Sequence, residues 1–341
     1  MPKTKSLYLV FNLLFCVFYS FSQTTIKEDN FLATYHKNSI ELKFDFPVNV
    51  KAYNQIDLQE LSVVPQFNQT TFLISNVKPA QIIKLAYRFI SSKNATEHTS
   101  YLASPSTSSG TINVYFNHPV DITYTQTQNG VNLGSNVDDM LINYINACTS
   151  TLDIAIYNSY SPSGTTGISG AINAAFSRGV QVRLIYDGST SSVMIPLLNP
   201  SIPILPSPTS SSYGIMHNKF VIFDANSADA NKPLVWTGST NWTVAQIDGP
   251  DKNGAIVIQD QALALGYKIE FEEMWGSSTL VPNTTVSKFG PYKTNNTPHN
   301  YSIGGKIVNS YFSPSDGANA KIIEAINTAN TDIDIATMLI T

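Results

Sequence analysis

Beyond residue 23 the hydrophobic pattern changes its period once, and that change divides the chain. Up to about Ser109 the signal is strict alternation: Ile40, Leu42, Phe44 and Phe46 are separated by Glu41, Lys43 and Asp45, and Leu85, Tyr87 and Phe89 by Ala86 and Arg88. A period of two is that of a half-buried strand, so residues 24–109 are expected to form a small β-rich module. The stretch Ala103-Ser104-Pro105-Ser106-Thr107-Ser108-Ser109-Gly110 closes it and reads as a linker. From Thr111 strand and helix periods alternate. Strands are expected at 111–116, 152–157, 180–186, 219–223, 234–237 and 255–258, with helices opened by Asn136, Asp138 and Asp139, running over 168–178, and over 261–275. That order predicts an α/β sandwich with a mixed sheet over residues 110–280, followed by a linker at 281–309.

The last part of the chain echoes the second. Ile142, Ile145, Asn146, Leu152, Asp153, Ile154 and Ala155 recur as Ile323, Ile326, Asn327, Ile333, Asp334, Ile335 and Ala336 at a constant offset of 181, and Tyr115-Phe116 has an echo in Tyr311-Phe312. Residues 310–341 are therefore expected to begin a second, incomplete copy of the α/β domain. Asp153 and Asp334 read as structural residues at strand ends rather than as acids.

Composition sets the class. Hydrophobic residues are 43% and charged residues 13%, with 17 Tyr and 17 Phe, which excludes a disordered chain. The formal charge of -4 supplies no global basic field for nucleic acid, though a local basic groove remains compatible with it. Two cysteines, Cys16 and Cys148, make no disulfide framework. Lys3 and Lys5 precede an apolar run from Leu7 to Phe21, ending in Ser20-Phe21-Ser22-Gln23. This is the pattern of a signal peptide over 1–23, so a secreted, periplasmic or cell-surface protein is expected. The run is shorter than the roughly 20 residues that span a bilayer, and the bulky Phe15 before Cys16 argues against lipid attachment.

The candidate chemistry lies at His217-Asn218-Lys219 with Asp224, followed by Gly238-Ser239-Thr240-Asn241. The spacing His-x-Lys-x4-Asp arises by chance roughly 0.01 times in a chain of this composition. On a strand, His217 and Lys219 share one face while Phe220 and Ile222 enter the core from the other. An imidazole beside a fixed cation suits the handling of a phosphate. His36, His98, His118 and His299 are scattered without ligand spacing, so no metal site and no cofactor are expected. Trp242 is expected to pack beneath the site.

These motifs resemble those of the phospholipase D superfamily of phosphodiesterases, over 111–275 as one domain and 310–341 as the start of another. The resemblance extends to Phe271-Glu272-Glu273-Met274-Trp275. It implies metal-free cleavage at a joint site built from two motifs, in which one His attacks phosphorus to form a phosphohistidine and the other protonates the leaving oxygen. His217, Lys219 and Asp224 are the implied catalytic residues, with Asp224 supporting the motif. Lys219, Ser239 and Asn241 would hold the substrate phosphate. Two departures stand out: a 13-residue gap from Asp224 to Gly238, and Asn253 where relatives carry an acid that orients the imidazole, a role for which Asp251 is the substitute at hand. The expected substrate is a phospholipid or related phosphodiester, with a nuclease, or a surface binding protein that has lost catalysis, as the alternatives. A second HxK motif would come from further chain, near position 398 by the repeat offset, or from a second copy.

Overall fold

The computed structural model describes residues 23–90, 96–124, 129–159 and 162–335. The expected leader, apart from Gln23, lies outside the described residues. The N-terminal module is a two-sheet β-sandwich. Its strands are β1 (Thr24–Lys27), β2 (Phe31–Tyr35), β3 (Ser39–Phe44), β4 (Val48–Asn54), β5 (Glu60–Leu61), β6 (Val63–Phe67), β7 (Thr71–Ser75), β8 (Ile82–Phe89) and β9 (His98–Ala103). One sheet has the order β1-β2-β3-β7-β6 and the other β5-β4-β8-β9. The alternation decides which faces meet: Ile40, Leu42, Phe44, Leu85 and Tyr87 are buried between the sheets, where the Phe31 and Phe44 rings lie 4.8 Å apart. Burying each such side chain stabilises the module by about 1.5–3 kcal/mol. Phe46 breaks the expected pattern. The strand ends at Phe44, the chain turns into β4, and Phe46 is left 62% exposed.

The second domain is the expected α/β sandwich. Its elements are β10 (Ile112–Phe116), β11 (Val131–Asn132), α1 (Val137–Ala147), β12 (Thr151–Ile156), α2 (Pro162–Ser177), β13 (Gln181–Tyr186), β14 (Ile204–Pro206), β15 (Lys219–Phe223), β16 (Leu234–Gly238), α3 (Val244–Ile247), β17 (Gly254–Ile258) and α4 (Gln261–Trp275). The mixed sheet runs β11-β10-β17-β16-β15-β12-β13-β14, with parallel pairs at both edges and antiparallel pairs through the middle. Leu141 and Ile145 of α1, Ile168 and Ile172 of α2 and Ile247 of α3 cover one face. Leu263, Phe271, Met274 and Trp275 of α4 cover the other. Helix α4 starts where Asp260 accepts a hydrogen bond from the Leu263 amide and stops at Gly276, whose φ of 78° is the left-handed cap conformation. Helix α2 begins earlier than the apolar period shows, at Pro162, because its first turns carry Ser, Gly and Thr in place of periodic apolar residues. Asp153 lies within β12, not at a strand end, and pairs with Arg183 directly across the β12–β13 register at 2.6 Å.

Neither expected linker is a loose tether. Ser108 donates to the Ala230 carbonyl, and the Ser109 amide to Gln259 Oε1, while Ala80, Ile82 and Ala103 of the module join the α4-side core. The long β15–β16 connection is thereby docked, since Gln259 Nε2 also donates to the Ala230 carbonyl. Residues 281–309 pack too, through Phe289, a buried Lys293–Glu270 ion pair, and the hairpin of β18 (Asn300–Ile303) and β19 (Lys306–Asn309) that buries Tyr301 and Ile303. The apolar spacing there is too sparse to announce a core, and only the neighbouring α4 face supplies the partners. Helix α5 (Ala318–Asn327) begins 181 residues after α1. The matching strand is absent from 332–335, and residues from Ala336 onward lie outside the described residues. On α1 Leu141 and Ile145 are buried, whereas their α5 counterparts Ile322 and Ile326 are 57% and 39% exposed. Among the described residues no helix is long and apolar enough to cross a membrane.

Candidate active site

Three chain segments meet at one end of the central strands of the mixed sheet. Strand β15 starts at Lys219, with Ile156 of β12 as its antiparallel partner, and one residue further the Tyr157 amide donates to the Asn218 carbonyl at 2.8 Å. The turn after β16 reaches the same end, because the Trp242 amide donates to the Asn158 carbonyl at 3.0 Å. Gly238 makes that turn, with φ 155°, and a side chain there would strike the Gly254 carbonyl of the neighbouring strand.

His217 and Lys219 are brought together. The Lys219 ammonium donates to the His217 carbonyl at 3.0 Å, and Tyr157 borders both: its ring centroid is 4.6 Å from the imidazole and 5.0 Å from Lys219 Nζ. Phe220 and Ile222 enter the opposite, α4-side core, as the alternation predicts. Lys219 is only 7% exposed, and among the described residues no carboxylate forms an ion pair with it. Burial pulls its pKa down to about 8. Burial also lowers the His217 pKa, the Lys219 charge pushes in the same direction, and Asp187 opposes both. Both effects favour the neutral imidazole, the form a nucleophile requires.

The other candidates separate. Asn241 is 8% exposed, and its Oδ1 has no hydrogen-bond partner among the described residues. Such a buried acceptor is costly unless a donor completes it. Ser239 is a correction: its hydroxyl donates to Asn253 Oδ1 at 3.0 Å and accepts from the Gly254 amide at 3.1 Å, so it stitches the turn to β17 and has little left for a phosphate. Asp224 has the supporting place expected of it. It lies at the far end of β15, roughly 16 Å of strand from Lys219. There its carboxylate accepts from the backbone amides of Thr149, Ser150 and Thr151 and from the hydroxyls of Thr149 and Ser150. Burial raises its pKa, but those bonds outweigh it and hold the carboxyl below its ordinary range. Asp224 locks the α1–β12 turn and touches no reacting atom. Asp251 is exposed, and its described hydrogen bonds run through the backbone: its carbonyl accepts from Asn253 and Asn117, and its amide donates to the Ala245 carbonyl.

The acid beside the imidazole is one the motif does not name. Asp187, just past β13 and 1% exposed, accepts from the Met216 amide at 2.7 Å and from the Ser189 amide at 2.9 Å, which fixes the backbone leading into His217. A buried carboxylate ending a hydrophobic strand was its only trace in the sequence. Trp242 packs in the core against Trp236. A cavity of about 500 Å³ opens alongside His217 and Asn218, walled by Tyr213, Met216, Met274 and Phe312. A cavity of this size has room for a small organic ligand. Among the described residues no three His, Cys, Asp or Glu side chains gather as a group that could hold a metal ion.

Comparison with known proteins agrees with the motif. Residues 141–275 match a family model described as cardiolipin synthase, PLD-like domain. No curated protein matches the chain. Among solved structures, Nuc of Salmonella typhimurium, a phospholipase D family member, is 21% identical over 49% of this chain and 95% of its own, with a TM-score of 0.36. NucT from Helicobacter pylori is 22% identical over 49% and 98%, with a TM-score of 0.36. The phosphatidylserine synthase of Haemophilus influenzae Rd KW20 is 8% identical over 71% and 59%, with a TM-score of 0.28. Superpositions this loose fix neither substrate nor site, so the assignment rests on the sequence match over 141–275 and on the His217–Asn241 motif within it. Residues 141–275 are therefore a PLD-like domain of the phospholipase D superfamily.

Proposed function

We propose that the protein hydrolyses phospholipid phosphodiester bonds in the manner of a phospholipase D, with His217 as nucleophile. The observation that carries this reading is a buried Lys219 ammonium with no carboxylate partner among the described residues, set beside an imidazole whose pKa is lowered by burial. An uncompensated buried cation is unfavourable in the free protein and becomes favourable once an anion arrives. In the proposed sequence a nitrogen of His217 bonds to phosphorus as the P–O bond to the leaving alcohol breaks. That oxygen takes a proton from a second imidazole, which then removes one from water as the water oxygen displaces His217. Lys219 and Asn241 hold the non-bridging oxygens as charge builds. The second imidazole belongs to another HxK motif, supplied by further chain or by a second copy. If sedimentation finds an active monomer whose full reading frame holds no other HxK motif, the two-imidazole step is wrong.

The lipid substrate is favoured over nucleic acid by charge and by one pole of the sandwich. The net charge is -4. Phe46 and Phe67 are 62% and 69% exposed on adjacent turns, joined where the Val48 amide donates to the Gln69 carbonyl, and Ile90, 44% exposed, bonds to Pro47 beside them. Apolar tips of this kind suit insertion into a lipid surface. Replacing both Phe46 and Phe67 with Ser should lower sedimentation with phosphatidylcholine vesicles at least tenfold, while hydrolysis of a soluble diester stays unchanged. Equal binding would remove this support, and faster turnover of DNA than of phospholipid would favour the nuclease reading. Hydrolysis of neither would favour a binding protein. The leader pattern supports export, which amino-terminal sequencing of the mature protein checks.

Activity on a soluble phosphodiester should survive EDTA, because His217, Lys219 and Asn241 supply the nucleophile and the charge stabilisation themselves. Loss of turnover that a divalent ion restores would overturn the scheme.

A further inference from the structure

We propose that Tyr157 is the positioning residue that keeps the Lys219 cation charged and unpaired beside His217, its ring face standing in for a carboxylate. The inference deepens the phosphodiesterase reading above and rests on it for its catalytic meaning. Tyr157 follows β12 directly, and its amide is hydrogen-bonded to the carbonyl of Asn218, the residue between the two motif side chains. Its ring meets the imidazole at a tilt of 57° and lies 5.0 Å from Lys219 Nζ.

The reason an aromatic face suits this position is one of donors. An ammonium has three N–H groups, and here one goes to the His217 carbonyl. A carboxylate neighbour would hold the charge more tightly but would take the remaining donors and repel a phosphate. A ring quadrupole attracts the cation without supplying a lone-pair acceptor, so the donors stay available for non-bridging oxygens. The same ring limits the swing of the imidazole, keeping nucleophile and cation at a fixed separation. Burial has already drawn Lys219 down to about 8, so further loss of support would leave a growing neutral fraction at physiological pH.

The test weakens the ring face without changing its shape. Phe and its mono-, di- and trifluorinated forms are installed at position 157 of the whole protein. The Lys219 titration is followed by NMR of its ε-carbon, assigned with Lys219→Arg. Tyr157→Phe should leave the midpoint near its parent value. The fluorinated series should lower it stepwise, by about half a pH unit or more at the trifluorinated ring, with the alkaline limb of kcat/KM on bis(p-nitrophenyl) phosphate moving by the same amount. A midpoint constant across the series, or activity abolished by Tyr157→Phe alone, would overturn the proposal, the latter by making the hydroxyl the working group. If the parent hydrolyses no phosphodiester, the phosphodiesterase reading fails, and the titration still decides whether Tyr157 holds the cation.

Discussion

Replacing His217 with Asn should lower kcat/KM on a phosphodiester by at least about a thousandfold while the protein stays folded, because Asn keeps the hydrogen bonding but offers no nucleophilic nitrogen. Lys219→Ala should cause a comparable loss by removing the fixed countercharge at a site where little water screens the phosphoryl oxygens. Substitution within β15 is tolerable for the fold, since the strand's core side chains, Phe220, Val221, Ile222 and Phe223, are left in place. The pH dependence of the parent follows from the same two groups. His217 loses its proton below its usual 6.5, and Lys219 loses its own near 8. Since the free enzyme needs a neutral imidazole and a charged ammonium, kcat/KM should rise through the acidic limb, level off, and fall again near pH 8. Undiminished hydrolysis by folded His217→Asn protein would show that the nucleophile lies elsewhere.

Asp224→Ala should act on stability instead of chemistry. Its carboxylate accepts three backbone amides and two hydroxyls around residues 149–151, and Asp224 adopts φ 49°, a conformation that Asp and Asn tolerate better than Ala. Orphaned donors cost about 1–3 kcal/mol each when buried, but this turn is partly wet, so a total loss of about 2–4 kcal/mol is expected. Asp224→Asn keeps one acceptor and the backbone preference and should cost less. The sign of the pH effect is set by the lowered carboxyl pKa in the folded protein. The contribution is present above the unfolded-state value near 3.8 and is lost as pH falls through the lower folded value. The melting-temperature gap between parent and Asp224→Asn should therefore be full at pH 6 and shrink below about pH 4. A gap independent of pH would mean that the charge contributes nothing. A large loss of turnover in folded Asp224→Asn protein would contradict its placement away from the site.

What the chain alone determined is whatever depends on neighbours in sequence. The alternation in β3 and β8 and the period of α4 follow from side-chain direction within a single element, which a strand or helix repeats wherever it sits, whereas His217 precedes β15 and meets Lys219 through its backbone carbonyl. Gly238 and Asn241 were legible for the same reason, as parts of one turn. The tertiary structure decided every role that crosses between strands. Asp224 follows Phe223, and Phe223 pairs with Leu152, so the antiparallel β12–β15 register alone places the carboxylate against the 149–151 turn and away from the chemistry. Tyr157 and Asp187 reach His217 because β15 lies antiparallel beside β12, and β12 lies parallel beside β13 through the α2 crossover, an order that no spacing along the chain encodes. The Ser239 hydroxyl is engaged by Asn253 and by Gly254 at the start of β17, partners that lie outside its own turn. A motif specifies which side chains leave one strand together; which of them find their hydrogen bonds satisfied, and which are left for a substrate, depends on the strands that pack beside it.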